Sequence, residues 1–143
     1  MFRRFFLAAV AVVLASGCSK SDYQSMFAFW TVVSAEQGGA PADPAMKSDI
    51  FIDSEILTDG MGAMDVRWTD PPRHKMKLDP SKTPKHIDLQ HHQSSEPAWP
   101  GIYELNGDDL KICLDLEGKS RPTEFKTVAG DKRLLLVMKR KQL

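Results

Sequence analysis

The side chains most able to do chemistry gather in one short stretch, where His86, His91 and His92 flank Asp88. Imidazole and carboxylate are ordinary ligands of zinc and copper, and the same groups serve as acid and base in hydrolysis. One reading is therefore a metal-dependent or hydrolytic enzyme that uses His86, Asp88 and His91. The local pattern argues against it. His86 and Asp88 alternate with Ile87 and Leu89, which sets the polar pair on one strand face, toward solvent, and the apolar pair on the other. His91 and His92 then fall in a polar loop, where adjacent residues do not easily bind one ion together. No Gly-x-Ser-x-Gly, His-Glu-x-x-His or Cys-x-x-Cys is present, nor a glycine-rich phosphate loop after a strand. Cys113 shares a face with Lys111 and Asp115, and a neighbouring carboxylate does not favour its thiolate. It is expected to be a packed structural residue. The reading is a protein with no catalytic residue, no metal site and no cofactor.

The other cysteine has a different chemistry. Met1-Phe2-Arg3-Arg4 is a short positive segment, and Phe5 to Ala15 is an uninterrupted run of apolar and small residues. Such a run is too short to span a bilayer, which takes about 20 residues, and it fits a cleaved export signal. Ala15-Ser16-Gly17-Cys18 resembles a bacterial lipobox, with Leu14 one place earlier than usual. Residues 1–17 are therefore expected to be removed and Cys18 to carry the lipid, so that the protein reaches the membrane through its N-terminus. Arg3-Arg4 suffices to orient a general export signal and does not require the twin-arginine route. Ser19, where a retention signal would have aspartate, points to the outer membrane on its periplasmic side.

Cleavage changes the charge. The full chain has 143 residues with 19 basic and 19 acidic side chains. Loss of Arg3 and Arg4 turns that neutral balance into −2 over 126 residues. A chain without a basic excess is a poor candidate for nucleic-acid binding. With Cys18 acylated, Cys113 has no thiol to pair with, and stability rests on the core.

Residues 18–28 read as a polar membrane tether, and residues 29–143 as one domain. From Phe29 the chain falls into short runs of period two separated by turn residues, the pattern of an antiparallel all-β domain. Trp30, Val32 and Ser34 share a face; Pro41 to Lys47 has room for one helical turn. Ile50, Ile52, Ser54 and Ile56 alternate with Phe51, Asp53, Glu55 and Leu57, and Met64, Val66 and Trp68 line the next run after Asp59-Gly60. Met76 with Leu78, and Ile87 with Leu89, continue the series. Asn106-Gly107 is a strong hairpin signal between Tyr103-Leu105 and Leu110-Ile112-Leu114. A run from Leu134 to Met138 ends in Lys139-Arg140-Lys141, a basic stretch suited either to lipid headgroups or to a solvated tail.

About eight antiparallel strands predict a small barrel, because closure removes the edges that would otherwise aggregate, and a monomer. A barrel of this size is filled by side chains or holds one small ligand. Trp30, Trp68 and Tyr103 are the large inward residues, placed at the barrel base or in a binding site. Arg121-Pro122-Thr123-Glu124-Phe125 reads as a turn in which Phe125 plugs the core while Arg121 pairs with Glu124; its alternative place is the barrel mouth.

The order of these segments resembles an uncharacterised domain family abundant in planctomycete bacteria. The residues that carry the likeness are Trp30 to Glu36, Gly39-Ala40-Pro41, Lys77 to Leu89, Gly101 to Leu114, Arg121 to Phe125 and Leu134 to Arg140. It implies a secreted or membrane-tethered module without an assigned activity. This chain departs from that pattern at Arg73-His74-Lys75-Met76 and over residues 90–99. Ala28-Phe29-Trp30 together with Arg140 is also similar to lipocalins, in which a first-strand tryptophan is covered by a late-strand arginine; that likeness implies a fold more than a function. The functional expectation is a lipid-anchored barrel of the cell envelope that binds a small apolar ligand or an envelope protein. A purely structural or inhibitory envelope protein is the third reading.

Overall fold

Alternating apolar side chains can all be buried only if the strands that carry them curl around a shared interior, and the barrel does this. The computed structural model describes residues 20–43, 49–53, 56–58 and 73–143. They form a short helix α1 (Asp22–Met26) and the strands β1 (Ala28–Gln37), β2 (Ala40–Pro41), β3 (Asp49–Asp53), β4 (Ile56–Thr58), β5 (Arg73–Asp79), β6 (Lys85–His91), β7 (Trp99–Asn106), β8 (Asp109–Asp115) and β9 (Arg133–Arg140). β1 pairs with β3, each later strand pairs with the next, and β9 returns antiparallel to β1. That last pairing closes eight strands into a barrel, with β2 a short spur on the end of β1. The expected strand through Met64, Val66 and Trp68, the helical turn over 41–47 beyond Asp43, and Cys18 lie outside the described residues.

Inward positions follow the period-two rule. Trp30, Ile50, Ile52, Leu57, Met76, Leu78, Ile87, Leu89, Tyr103, Leu110, Ile112, Leu114, Leu136 and Met138 form one buried cluster. The outward residues of β5 are Arg73, Lys75 and Lys77, all exposed, the reverse of the apolar exterior of a membrane-spanning barrel. Two inward assignments differ from the sequence reading. A bulge between Val32 and Ser34 adds a residue to β1, so Ala35 is buried and Ser34 exposed. Residues 50–57 are not one strand but two, with Ile52 opposite Leu57. The reversal turns Leu57 inward, where unbroken alternation would have chosen Ile56.

The β7–β8 hairpin turns on Gly107-Asp108, since Asn106 and Asp109 are partners in the ladder. Gly107 has φ +60°, the positive value that both primed hairpin turns need at their first central residue. The second half of β8 is buried on both faces because the following loop folds back over its outside. Ile102 and Cys113, which point out of the barrel, are covered there along with Pro122. Burial pushes the Cys113 thiol above its ordinary value. Its S–H donates to the Lys126 carbonyl at 3.8 Å, so the thiol is packed between β8 and the loop.

The segment read as a tether is largely structured. Ser21 caps α1 in a reciprocal box with Gln24, and Met26 is fully buried. Asp22 accepts from Lys85 at 2.8 Å and from the Tyr103 hydroxyl at 2.6 Å, while Leu78 N–H donates to the Tyr23 hydroxyl at 2.8 Å. These contacts pin α1 across one end of the barrel, its base.

The base carries an acid-sensitive contact. Burial works against the Asp22 carboxylate, but the hydrogen bonds from Lys85 and Tyr103, with the charge of Lys85, hold its pKa below the ordinary value. Burial, then the same hydrogen bond and the Asp22 charge, push the Tyr103 phenol well up. A depressed carboxylate contributes stability that is complete above its unfolded value, about 3.9, and is lost as pH falls through the folded one. Asp22→Asn should therefore cost about 1 kcal/mol at pH 7, and the gap to wild type should close at an acid pH below the depressed folded value. Urea unfolding at the two pH values measures it; a gap unchanged at low pH would refute the assignment.

Candidate binding site at the barrel mouth

Strand parity decides which side chains meet at the end opposite α1. On β6, Ile87, Leu89 and His91 share the inward side while His86 and Asp88 face out. The ladder sets His74 opposite His91 and Leu89 opposite Trp99. Three rings meet as a result. His74 lies edge-on to His91 with centroids 5.6 Å apart, and tilted against Trp99 at 5.3 Å. His74 is buried and Trp99 half-buried against the core.

Beside these rings is a concavity of about 190 Å³. Leu89, Trp99 and Leu116 provide its apolar surface, and His91, Glu96 and Glu117 its polar rim. Its far wall is the turn after β8, which Asp115 holds. The buried Asp115 carboxylate accepts from the backbone N–H groups of Ser120 at 2.7 Å, Lys119 at 3.1 Å and Glu117 at 3.2 Å. A second groove, of about 290 Å³ and more open, runs outside the barrel between the β5–β6 turn and Phe125. The mouth is the better candidate, because it is the more enclosed of the two and sets a few convergent polar groups against Leu89, Trp99 and Leu116.

The sequence-predicted residues scatter. His91 belongs to the mouth, but strand parity separates it from His86 and Asp88, so the proposed trio does not assemble. Among the described residues no three His, Cys, Asp or Glu side chains are grouped to hold a metal ion. Asp88 instead binds Arg121, whose guanidinium reaches it at 2.8 Å and also donates to the carbonyls of Gly101 at 2.7 Å and Ile87 at 3.1 Å. The expected Arg121–Glu124 pair is not formed: Glu124 meets Lys126 at 3.1 Å on the surface. Nor does Phe125 plug the core. It is half-buried in the outer groove, and the fully buried member of the loop is Pro122. The loop lies on the outer wall and not at the mouth, since its arginine clasps the middle of the β6–β7 pair.

Trp30, Tyr103 and Arg140 come together with α1 at the base. The Arg140 guanidinium lies over the Trp30 ring, 4.6 Å from its centroid, the arrangement that the lipocalin likeness implies. The basic stretch at the end of β9 is not a free tail: Lys139, Arg140 and Lys141 pair with Asp109, Asp108 and Asp49. Trp68 lies outside the described residues. His74, Trp99, Leu116 and Asp115 carry no local signal that marks them as site residues. Only the ladder register, which pairs β5 with β6 and β6 with β7, places the first two beside His91. No protein-family model, curated protein or solved structure matches the chain.

Proposed function

We propose that the chain is a lipid-anchored module of the cell envelope that binds a small apolar ligand at its barrel mouth. The observation that carries this reading is the concavity between Leu89, Trp99 and Leu116, at the end of the barrel opposite α1. Its volume of about 190 Å³ exceeds the roughly 150 Å³ in which an apolar cavity holds benzene. It falls below the roughly 300 Å³ at which pockets for drug-sized molecules begin. That size suits one ring system or the end of an acyl chain. His91, Glu96 and Glu117 would orient a polar head on such a ligand, while the indole of Trp99 lies along its apolar part. The anchor at Cys18 rests on the export signal and the small residues before the cysteine, and no catalytic step belongs to this reading.

The test is titration with a neutral naphthylamine dye, whose emission rises in an apolar site. Wild type should bind it in the micromolar range, and Trp99→Ala should weaken binding about tenfold through loss of apolar contact. Leu116→Trp, which fills the concavity from the other side, should weaken it similarly. Dye binding unchanged in both variants would overturn the site.

A further inference from the structure

The outer face of the β1–β3 pair carries three phenylalanines at the base of the barrel. Trp30 must point inward, so Phe29 points out, and its ladder partner Phe51 does the same. Their ring centroids are 4.5 Å apart. Phe27, at the junction of α1 and β1, lies edge-on to Phe51 at 5.9 Å and is 55% exposed. Phe27 is exposed over the half-buried Phe29 and Phe51, and an aromatic patch that opens to water in this way calls for a partner surface.

Chain length identifies that partner. Asp22 is fixed to Lys85 and Tyr103, and Cys18 stands four residues earlier. Four residues reach at most about 14 Å when fully extended, so a lipid on Cys18 leaves Asp22 within that distance of the anchor. A lipid on Cys18 would hold the base of the barrel, and with it the phenylalanines, against the membrane surface. Aromatic and other large apolar side chains on a surface element lodge at the boundary between headgroups and acyl chains. We propose that Phe27, Phe29 and Phe51 seat in the interfacial layer of the membrane that carries the anchor, and so orient the barrel with its mouth away from the bilayer. This inference rests on the acylated Cys18 of the proposed function. The lipid supplies the affinity and the aromatic cluster the orientation.

The test uses the full acylated protein in vesicles of phosphatidylethanolamine and phosphatidylglycerol, with and without brominated acyl chains, which quench nearby indoles. Phe27→Trp replaces one exposed aromatic residue by another. Val128→Trp places a control at an exposed position on the loop that hooks the far end of β1, where Thr127 accepts from Gly39 N–H. Emission added by Phe27→Trp should fall about twofold in brominated vesicles, while that added by Val128→Trp should not change. Equal response of the two, in protein that floats with the vesicles, would overturn the orientation and leave the anchor standing. A blue-shifted but unquenched Phe27→Trp would mean that a second copy or another protein covers the patch, and would also overturn it. If wild type and Cys18→Ser both fail to float, the anchor itself fails and the inference with it.

Discussion

Trp30→Ala should cost about 3–5 kcal/mol of folding stability, a large part of the roughly 5–15 kcal/mol that a domain of this size has. Trp30 is fully buried, and removing the indole leaves a cavity where four elements meet. Its Nε1–H donates to the Met26 carbonyl at 2.9 Å, which ties β1 to α1. The Arg140 guanidinium above its ring donates to the Ser25 carbonyl at 2.7 Å, to Asp108 at 3.0 Å and to the Gly107 carbonyl at 3.3 Å, which ties β9 to α1 and to the β7–β8 turn. Truncation therefore removes apolar burial, a hydrogen bond and a cation–π contact together. Trp30→Phe keeps most of the volume and loses the donor, so it should cost about 1–2 kcal/mol. Urea unfolding followed by circular dichroism measures both. A Trp30→Ala loss under 1 kcal/mol would show that the base does not hold the barrel shut. Dye affinity at the mouth should be the same in Trp30→Phe as in wild type, because the ring lies at the opposite end; a changed affinity would make Trp30 part of the binding site.

Local alternation was enough to read the barrel, because each strand's inward side is written in its own residues. Met76 and Leu78, Ile87 and Leu89, and Leu110, Ile112 and Leu114 all sit where their spacing places them. Alternation says nothing about where a strand ends or slips. The bulge at Val33 and the reversal between Asp53 and Ile56 both leave the apolar count intact while changing which residues are inside. α1 is signalled locally, since Ser21 and Gln24 have the spacing of a capping box ahead of the buried Met26. The loop after β8 is not legible locally for another reason. Arg121 has a near acid in Glu124, but its two bonds to sheet carbonyls fix it beside Asp88, thirty-three positions away along the chain. The mouth shows the same limit, since His74, His91, Trp99 and Leu116 come from three different strands and a turn, and only register makes them neighbours.

The mouth in turn depends on one residue that no motif marks. Asp115→Ala should cost about 2–4 kcal/mol and weaken dye binding with it. Asp115 ends β8 with 6% exposure, and three backbone N–H groups of the next turn converge on its carboxylate. Alanine leaves those donors without their acceptor, and the turn carries Leu116 and Glu117, one wall of the site. Burial opposes the charge on Asp115, yet the hydrogen bonds from Ser120, Glu117 and Lys119, with Arg133 nearby, bring its pKa below the ordinary value. Its contribution is thus complete above an unfolded value of about 3.9 and disappears as pH falls through the depressed folded value. Asp115→Asn keeps one acceptor oxygen and the side-chain shape. It should lie between wild type and alanine at pH 7 and approach wild type in acid. The mechanism makes stability and binding fall together, in the order wild type, asparagine, alanine. Alanine that loses stability but binds dye as wild type does would separate the turn from the site, and the ligand would then have to rest on Leu89 and Trp99 alone.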